Sequence, residues 1–431
     1  MRLVPDLVLT EGGFRSGLAV TVVGGSIIGV EPAGEPRPGD VPLPRRALLP
    51  GTVNSHCHTF QSLLRGLGDD LDFIGWRDRV LYPFSERLTR QDIALGAQFA
   101  FAQMLLHGVT TCVDFFYLQD DGNENAEAVI EAAQSVGIRL VLARAMYDWT
   151  AAPKRYRETP AAAARRVREL HARHRDHPTV RVQPAPHSPH GASPEMIRAG
   201  WEVATETDTP FHIHVAEARY EAEGTVREHG ATPIRYLDRL GVLGPRMIGV
   251  HCVWLDDAEI ALMGARGAAL AYCPSSNMFL GDGITRVPEL VRAGVPIGLG
   301  TDGGCTNNRL SIFEEMRMTS LLQRVRLLDG RALPTETAFS MGTREGARIL
   351  GLNAGTIGAG RLADLVAVDL DHASLHPPTA LLGSIVHAMS PQAITDAWVH
   401  GRRVVEGGRL TTTDIAELLG RVRALTRDWR V

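Results

Sequence analysis

Short β-rich runs open the chain at 7–10, 18–23 and 26–30, and the pair Gly24-Gly25 between the last two marks a hairpin. A Pro/Gly-rich link covers 31–42. Similar runs return near the other end, at 363–369 and 397–405. This pattern predicts one small β-domain built from both chain ends, residues 1–48 plus 358–431, around a central domain, 49–357.

Within the central part, apolar strand-like runs alternate with amphipathic helix-like stretches at 90–107, 126–136, 160–174 and 194–206. That alternation is the signature of a parallel α/β architecture. The strand-like runs end near His58, Phe115, Met146, His187, His214, His251, Cys273 and Asp302. Eight is the number that closes a barrel, so the predicted fold is a (β/α)8 TIM-type barrel with a small β-sandwich. In such barrels functional groups gather at the strand C-termini, on one rim. No repeat of fixed period interrupts the pattern.

Composition narrows the function without naming it. A chain of 431 residues accommodates a barrel and a satellite, and its net charge of −4 offers no basic surface for nucleic acid. No run approaches ~18 apolar residues, so no membrane span is expected. The start, Met1 to Asp6, has an acid and a proline where a signal peptide needs its apolar core. The five cysteines form an odd set without zinc-finger spacing, and most lie in apolar runs. The expected location is the cytoplasm, the expected partner a small-molecule substrate, and the expected assembly a homo-oligomer. Lys154 is the only lysine in the chain.

Four stretches carry candidate chemistry. His56-Cys57-His58 follows an apolar run; along a β-strand, alternate side chains share a face, which makes an H-x-H pair a ready metal clamp. The bland reading is a solvated strand edge. Phe211-His212-Ile213-His214-Val215-Ala216-Glu217 pairs a ligand-type histidine with a carboxylate three residues on, as metal-assisted hydrolysis needs. There His212 reads better as a packed core residue. His251 closes an apolar run, and Asp302 stands among glycines in Gly298-Leu299-Gly300-Thr301-Asp302-Gly303-Gly304, where close backbone approach is allowed. Either could be an ordinary strand end, but four such endings on strands one, five, six and eight make coincidence a poor account. His107, His171, His174, His177 and His229 fall on helix-like or loop stretches and read as solvated, while His376 and His387 lack partner spacing.

Taken together, Pro50-Gly51 through His56-Cys57-His58, His214-Val215-Ala216-Glu217, His251, Thr301-Asp302-Gly303 and the closing Gly358 to Val366 resemble the amidohydrolase superfamily. Leu64-Arg65-Gly66, Trp76, Cys273-Pro274-Ser275-Ser276-Asn277-Met278 and Phe313-Glu314-Glu315-Met316-Arg317 are similar to the branch of S-adenosylhomocysteine and methylthioadenosine deaminases and triazine hydrolases. The resemblance implies one divalent metal, zinc with iron as the alternative, held by His56, His58, His214 and Asp302. It also implies three catalytic groups: Glu217 moving protons, His251 polarising the attacking oxygen or the tetrahedral intermediate, and Asp302 orienting the water. Gln61, Trp76, His187 and Asn277 would contact substrate. Two-metal members bridge their ions with a modified lysine at the end of strand four, where this chain has none.

The implied activity is hydrolytic deamination of an amino-substituted nitrogen heterocycle, of adenine, pterin or triazine type. Two departures stand out. His190 replaces a usual tyrosine, and Ser85 stands where nucleoside-acting relatives place a ribose-binding glutamate, with Glu86 one residue on. Phe60-Gln61, Trp76-Arg77 with Tyr82, and Phe116-Tyr117-Leu118 also resemble N-formimidoyl-L-glutamate deiminases, which makes an iminohydrolase the alternative. Triazine dechlorination is a second alternative. A structural protein of this fold would have lost ligands that are all present here, and no G-x-G-x-x-G supports a dinucleotide enzyme.

Overall fold

The computed structural model describes residues 1–431. Strands from both chain ends share one nine-stranded sheet: β1 (Arg2–Thr10), β2 (Gly13–Ser16), β3 (Leu18–Val23), β4 (Ser26–Pro32), β5 (Asp40–Pro50), then β14 (Leu365–Asp369), β15 (Ile394–Val399), β16 (Arg402–Glu406) and β17 (Arg409–Leu410). The order is β17-β16-β15-β14-β5-β1-β3-β4, with β2 beside β1. β1 and β5 run parallel, and the other pairs are antiparallel. The hairpin expected at Gly24-Gly25 joins β3 to β4.

A separate apolar cluster lies under this sheet. Val22 and Ile27 from one edge pack there with Leu365 and Trp398 from the other half. The tip of the first hairpin also bonds to the segment entering β14: Ile27 N–H donates to Arg361 C=O and Gly360 N–H to Ile27 C=O, each at 2.8 Å.

The central strands form two four-stranded parallel sheets. One holds β6 (Thr52–Asn54), β7 (Val109–Phe116), β8 (Arg139–Met146) and β9 (Val180–Pro186); the other holds β10 (Phe211–Val215), β11 (Met247–His251), β12 (Ala269–Tyr272) and β13 (Ile297–Leu299). At one seam His214 N–H donates to His187 C=O at 3.0 Å, and at the other Ser55 N–H donates to Leu299 C=O at 2.7 Å. Helices Arg90–Leu106, Glu124–Val136, Pro160–His174 and Pro194–Glu206 follow β6 to β9 in turn. Each of the last two begins at proline behind a Thr or Ser N-cap, a combination preset for the first turn.

Strands β7, β8 and β10 are buried at every position, as parallel strands covered on both faces are. A buried ion pair ties the two parts together: Arg139 on β8 donates from Nε and Nη2 to the Asp364 carboxylate at 2.6 and 3.0 Å. The last helix, Ile415–Thr426, leaves the sheet and packs on Arg90–Leu106.

Two sequence expectations are corrected. The β6 ladder stops at Asn54, so His56 and His58 lie beyond it. The segment nevertheless stays extended, because Asp302 N–H bonds to His56 C=O at 3.0 Å and Phe115 N–H to Cys57 C=O at 2.7 Å. Secondly, His107, His171, His174, His177 and His229 are half-buried rather than solvated. His107 meets Leu310 C=O, His174 meets Glu127, and His229 stacks on Tyr236.

Candidate active site

Where β6, β10, β11 and β13 end, four histidines and an aspartate converge. The ring nitrogens of His56, His58 and His214 lie within 4.8 Å of one another, as do the ligand atoms of His56, His251 and Asp302. Backbone carbonyls of neighbouring strands fix two of these rings. His58 Nδ1 donates to Phe115 C=O at 2.6 Å and His214 Nδ1 to His187 C=O at 2.8 Å, which leaves each Nε2 bare toward the centre.

Glycines make the approach possible. A Cβ on Gly300 would stand 2.8 Å from His56 Cβ, and one on Gly303 would overlap Gln61 Oε1. Between them Asp302 adopts φ 59°, a left-handed backbone, and its Oδ1 sits 3.4 Å from Nε2 of both His56 and His58. Its Oδ2 accepts from Ser276 Oγ at 2.6 Å and Thr306 Oγ1 at 3.3 Å.

This electrostatic arrangement is one that a cation completes. Burial, then neighbouring His56, lowers the His58 pKa to about 4, and the same two causes hold His214 well below the usual range. Both rings are therefore neutral, with lone pairs free. Burial works against ionisation of Asp302, but His56, His58 and His251 outweigh it and keep the carboxyl well below its ordinary value. His56 is wholly buried with no hydrogen-bond partner at either nitrogen. A buried polar group without a partner is costly, and a bound cation supplies the partner. Three neutral imidazoles and one carboxylate suit zinc or iron.

Beside this cluster stands Glu217, its Oε1 3.5 Å from His251 Nε2. Burial, then Asp282, Glu221 and Asp302, pushes its carboxyl well above the ordinary range. Glu221 Oε2 accepts from the Glu217 and Ala218 N–H groups at 3.1 and 3.3 Å and holds that turn. Asn277 Nδ2 donates to His251 Nδ1 at 3.1 Å, which leaves the His251 proton on Nε2. Burial lowers the His251 pKa to about 3.

A cavity of about 660 Å³ opens from these residues to the surface. Its inner end is His58, His187, His214, Glu217, His251 and Asp302; its outer wall is aromatic, with Phe73, Trp76, Tyr82, Tyr117, Tyr147, Trp149 and Tyr156. Gln61 lines it too, donating from Nε2 to Tyr117 Oη at 2.5 Å, and Trp76 Nε1 donates to Cys305 Sγ at 3.3 Å. Arg77 lies between the Tyr82 and Trp149 rings, 5.5 and 5.6 Å from their centroids. Ser85 Oγ meets Tyr156 Oη at 2.5 Å, whereas Glu86 is exposed and is not among the cavity residues.

Of the expected substrate contacts, Gln61, Trp76 and His187 reach the cavity. Asn277 does not; its amide is engaged by His251 and, at 3.4 Å, by Asp282. His212 is a core residue, its Nε2 2.7 Å from Gln183 Oε1. Lys154 is exposed, and β9 ends in Pro184-Ala185-Pro186 without a bridging base. Sequence reasoning singled out Tyr82 and Tyr117 but missed Tyr147 and Tyr156, although Tyr147 directly follows a strand end, the position that faces a rim.

Known proteins resemble this chain over its whole length. A methylthioadenosine/S-adenosylhomocysteine deaminase of Syntrophobacter fumaroxidans is 34% identical, across 99% of this chain and 97% of the relative. A 5'-deoxyadenosine deaminase of Methanothermobacter thermautotrophicus is 35% identical, across 94% and 92%. Among solved structures, an adenosine deaminase from Xanthomonas campestris with bound zinc superposes with a TM-score of 0.92 at 30% identity, across 99% and 97%. An atrazine chlorohydrolase from Arthrobacter aurescens, at 23% identity, shares the fold with a TM-score of 0.91 over 98% and 99%. The profile of the amidohydrolase family matches residues 47–404, and with the site at the strand ends this places the chain in the amidohydrolase family.

Proposed function

We propose that this chain is a zinc-dependent hydrolytic deaminase of an adenine-type amino heterocycle. The observation that carries the reading is the cluster of His56, His58, His214 and Asp302 with the buried carboxyl of Glu217 beside it. The architecture we propose is a closed (β/α)8 barrel over 49–357 and a β-sandwich from 1–48 and 358–431. Hydrogen bonds at both seams of the central sheets support closure, and the apolar cluster shared by opposite halves of the end sheet supports the sandwich.

His56, His58, His214 and Asp302 would hold the metal, which supplies a Lewis acid and water acidified toward neutrality. Asp302, kept ionised, would orient the attacking water and take its first proton. Glu217 would give its proton to the ring nitrogen next to the amino-bearing carbon, then take the remaining O–H proton and pass it to the departing amine as the C–N bond breaks and the carbonyl forms. The His251 Nε2–H faces the oxygen on which charge develops, and Asn277 holds the ring in that tautomer. His187, Gln61 and Trp76 border the substrate. Five free, buried cysteines support a cytoplasmic location, and we expect a homo-oligomer there. No helix is long and apolar enough to cross a membrane.

An N-formimidoyl amino acid iminohydrolase is the second reading. Gln61, Arg77, Tyr82 and Tyr117 sharing one cavity favour it. Ammonia release by the zinc-loaded protein separates the readings, using S-adenosylhomocysteine, methylthioadenosine, adenosine, a chlorotriazine and N-formimidoylglutamate. Release from an adenine nucleoside upholds the first reading. Release from formimidoylglutamate alone replaces it with the second.

A further inference from the structure

Glu315 lies behind the site on the helix Ile312–Leu327, wholly buried, with no arginine, lysine or histidine paired to it. A buried carboxylate without a cation persists only where hydrogen-bond donors stabilise it. Here there are two, one from the first turn of the short helix Pro274–Phe279 and one from the loop after β13. Oε2 accepts from Ser275 N–H at 3.1 Å, and Oε1 accepts from Asn307 Nδ2 at 2.9 Å.

Each segment carries a group that touches the site. Ser275 precedes Ser276, whose hydroxyl donates to Asp302 Oδ2 at 2.6 Å, and Asn277, which holds His251. Asn307 Nδ2 also donates to Thr301 C=O at 2.8 Å, the residue before Asp302. Asp302 and Asn308 both have positive φ, 59° and 62°, so this loop is held in a backbone that its residues do not favour alone.

We infer that Glu315 is a positioning residue: it fastens the short helix Pro274–Phe279 to the Thr301–Asn307 loop and so sets the angle at which Asp302 meets a metal. The inference rests on the reading of Asp302 as a ligand. Replacing Glu315 by glutamine turns one acceptor into a donor, so either the Ser275 or the Asn307 bond is lost while side-chain size is kept.

The test is cobalt(II) binding to the whole chain, read by its visible absorption and by competition with a chelator. Glu315→Gln and Asn307→Ala should each weaken cobalt affinity by about 10–100-fold and alter the absorption bands, as loss of a residue that orients a ligand typically does. Asp364→Asn, which breaks the remote Arg139 pair, should lower the melting temperature and leave both cobalt readouts unchanged. If Glu315→Gln and Asn307→Ala bind cobalt like wild type while Asp302→Asn does not, the positioning role is overturned and the ligand reading stands. If Asp302→Asn also binds like wild type, both fall. Should Glu315→Gln not fold, Asn307→Ala decides alone.

Discussion

The two ends of the cavity are built by different rules. At the inner end, three of the functional groups are held by backbone or by a neighbour's hydroxyl: His58 by Phe115 C=O, His214 by His187 C=O, Asp302 by Ser276 and Thr306. At the outer end, loop side chains hold one another; Tyr117, Tyr82 and Tyr147 surround Tyr156 with ring centroids 5.0, 5.7 and 6.1 Å away. The chemistry therefore depends on strand ends, which few substitutions can move, and the substrate on loops, which many can. Deamination and imine hydrolysis differ in the second region while drawing on the first.

The sharpest way to break this division is to remove the metal. A chelator should abolish turnover and zinc should restore it, with metal content measured alongside; full turnover by metal-free protein would refute the inner-end reading. Glu217→Gln comes next. Turnover should fall about 10²–10⁴-fold, the usual worth of a general acid–base group, with metal content unchanged. Arg77→Ala probes the outer wall. If an anionic tail lies there, KM for formimidoylglutamate should rise about 10–100-fold, the loss of a charge-assisted bond. KM for an adenine nucleoside should change little, and equal effects on both would erase the distinction. The smallest effect expected is Tyr156→Phe, which removes the bond to Ser85. A roughly 5-fold rise in KM with kcat preserved would match a lost hydrogen bond of about 1 kcal/mol; a fall in kcat alone would make the wall part of the chemistry.

That division also governs what the sequence made legible. The inner end is spelled locally: an H-x-H after an apolar run, a histidine closing β11, an aspartate among glycines. Each signal lies within a few residues of a strand end, so periodicity locates it. The helices Pro160–His174 and Pro194–Glu206 were equally readable, because cap, proline and apolar stripe are all local. The outer wall was not. Tyr82, Tyr117, Tyr147 and Tyr156 meet only after three separate loops fold over the rim, and a tyrosine in a loop has no period. Asn277, a substrate contact by resemblance, has its amide turned to His251, a partner on another strand that no local signal announces. Glu315 reads as one helix acid among several until the segments bearing Ser275 and Asn307 reach it.

The solitary lysine has a practical consequence. Lys154 is exposed and stands two residues before Tyr156, which lines the cavity. An amine-reactive fluorophore applied at alkaline pH, where the lysine amine loses its proton, would have one side chain to attach to. That dye would sit on the segment that forms the tyrosine wall, so its emission could follow ligand entry without any engineered cysteine or affinity tag.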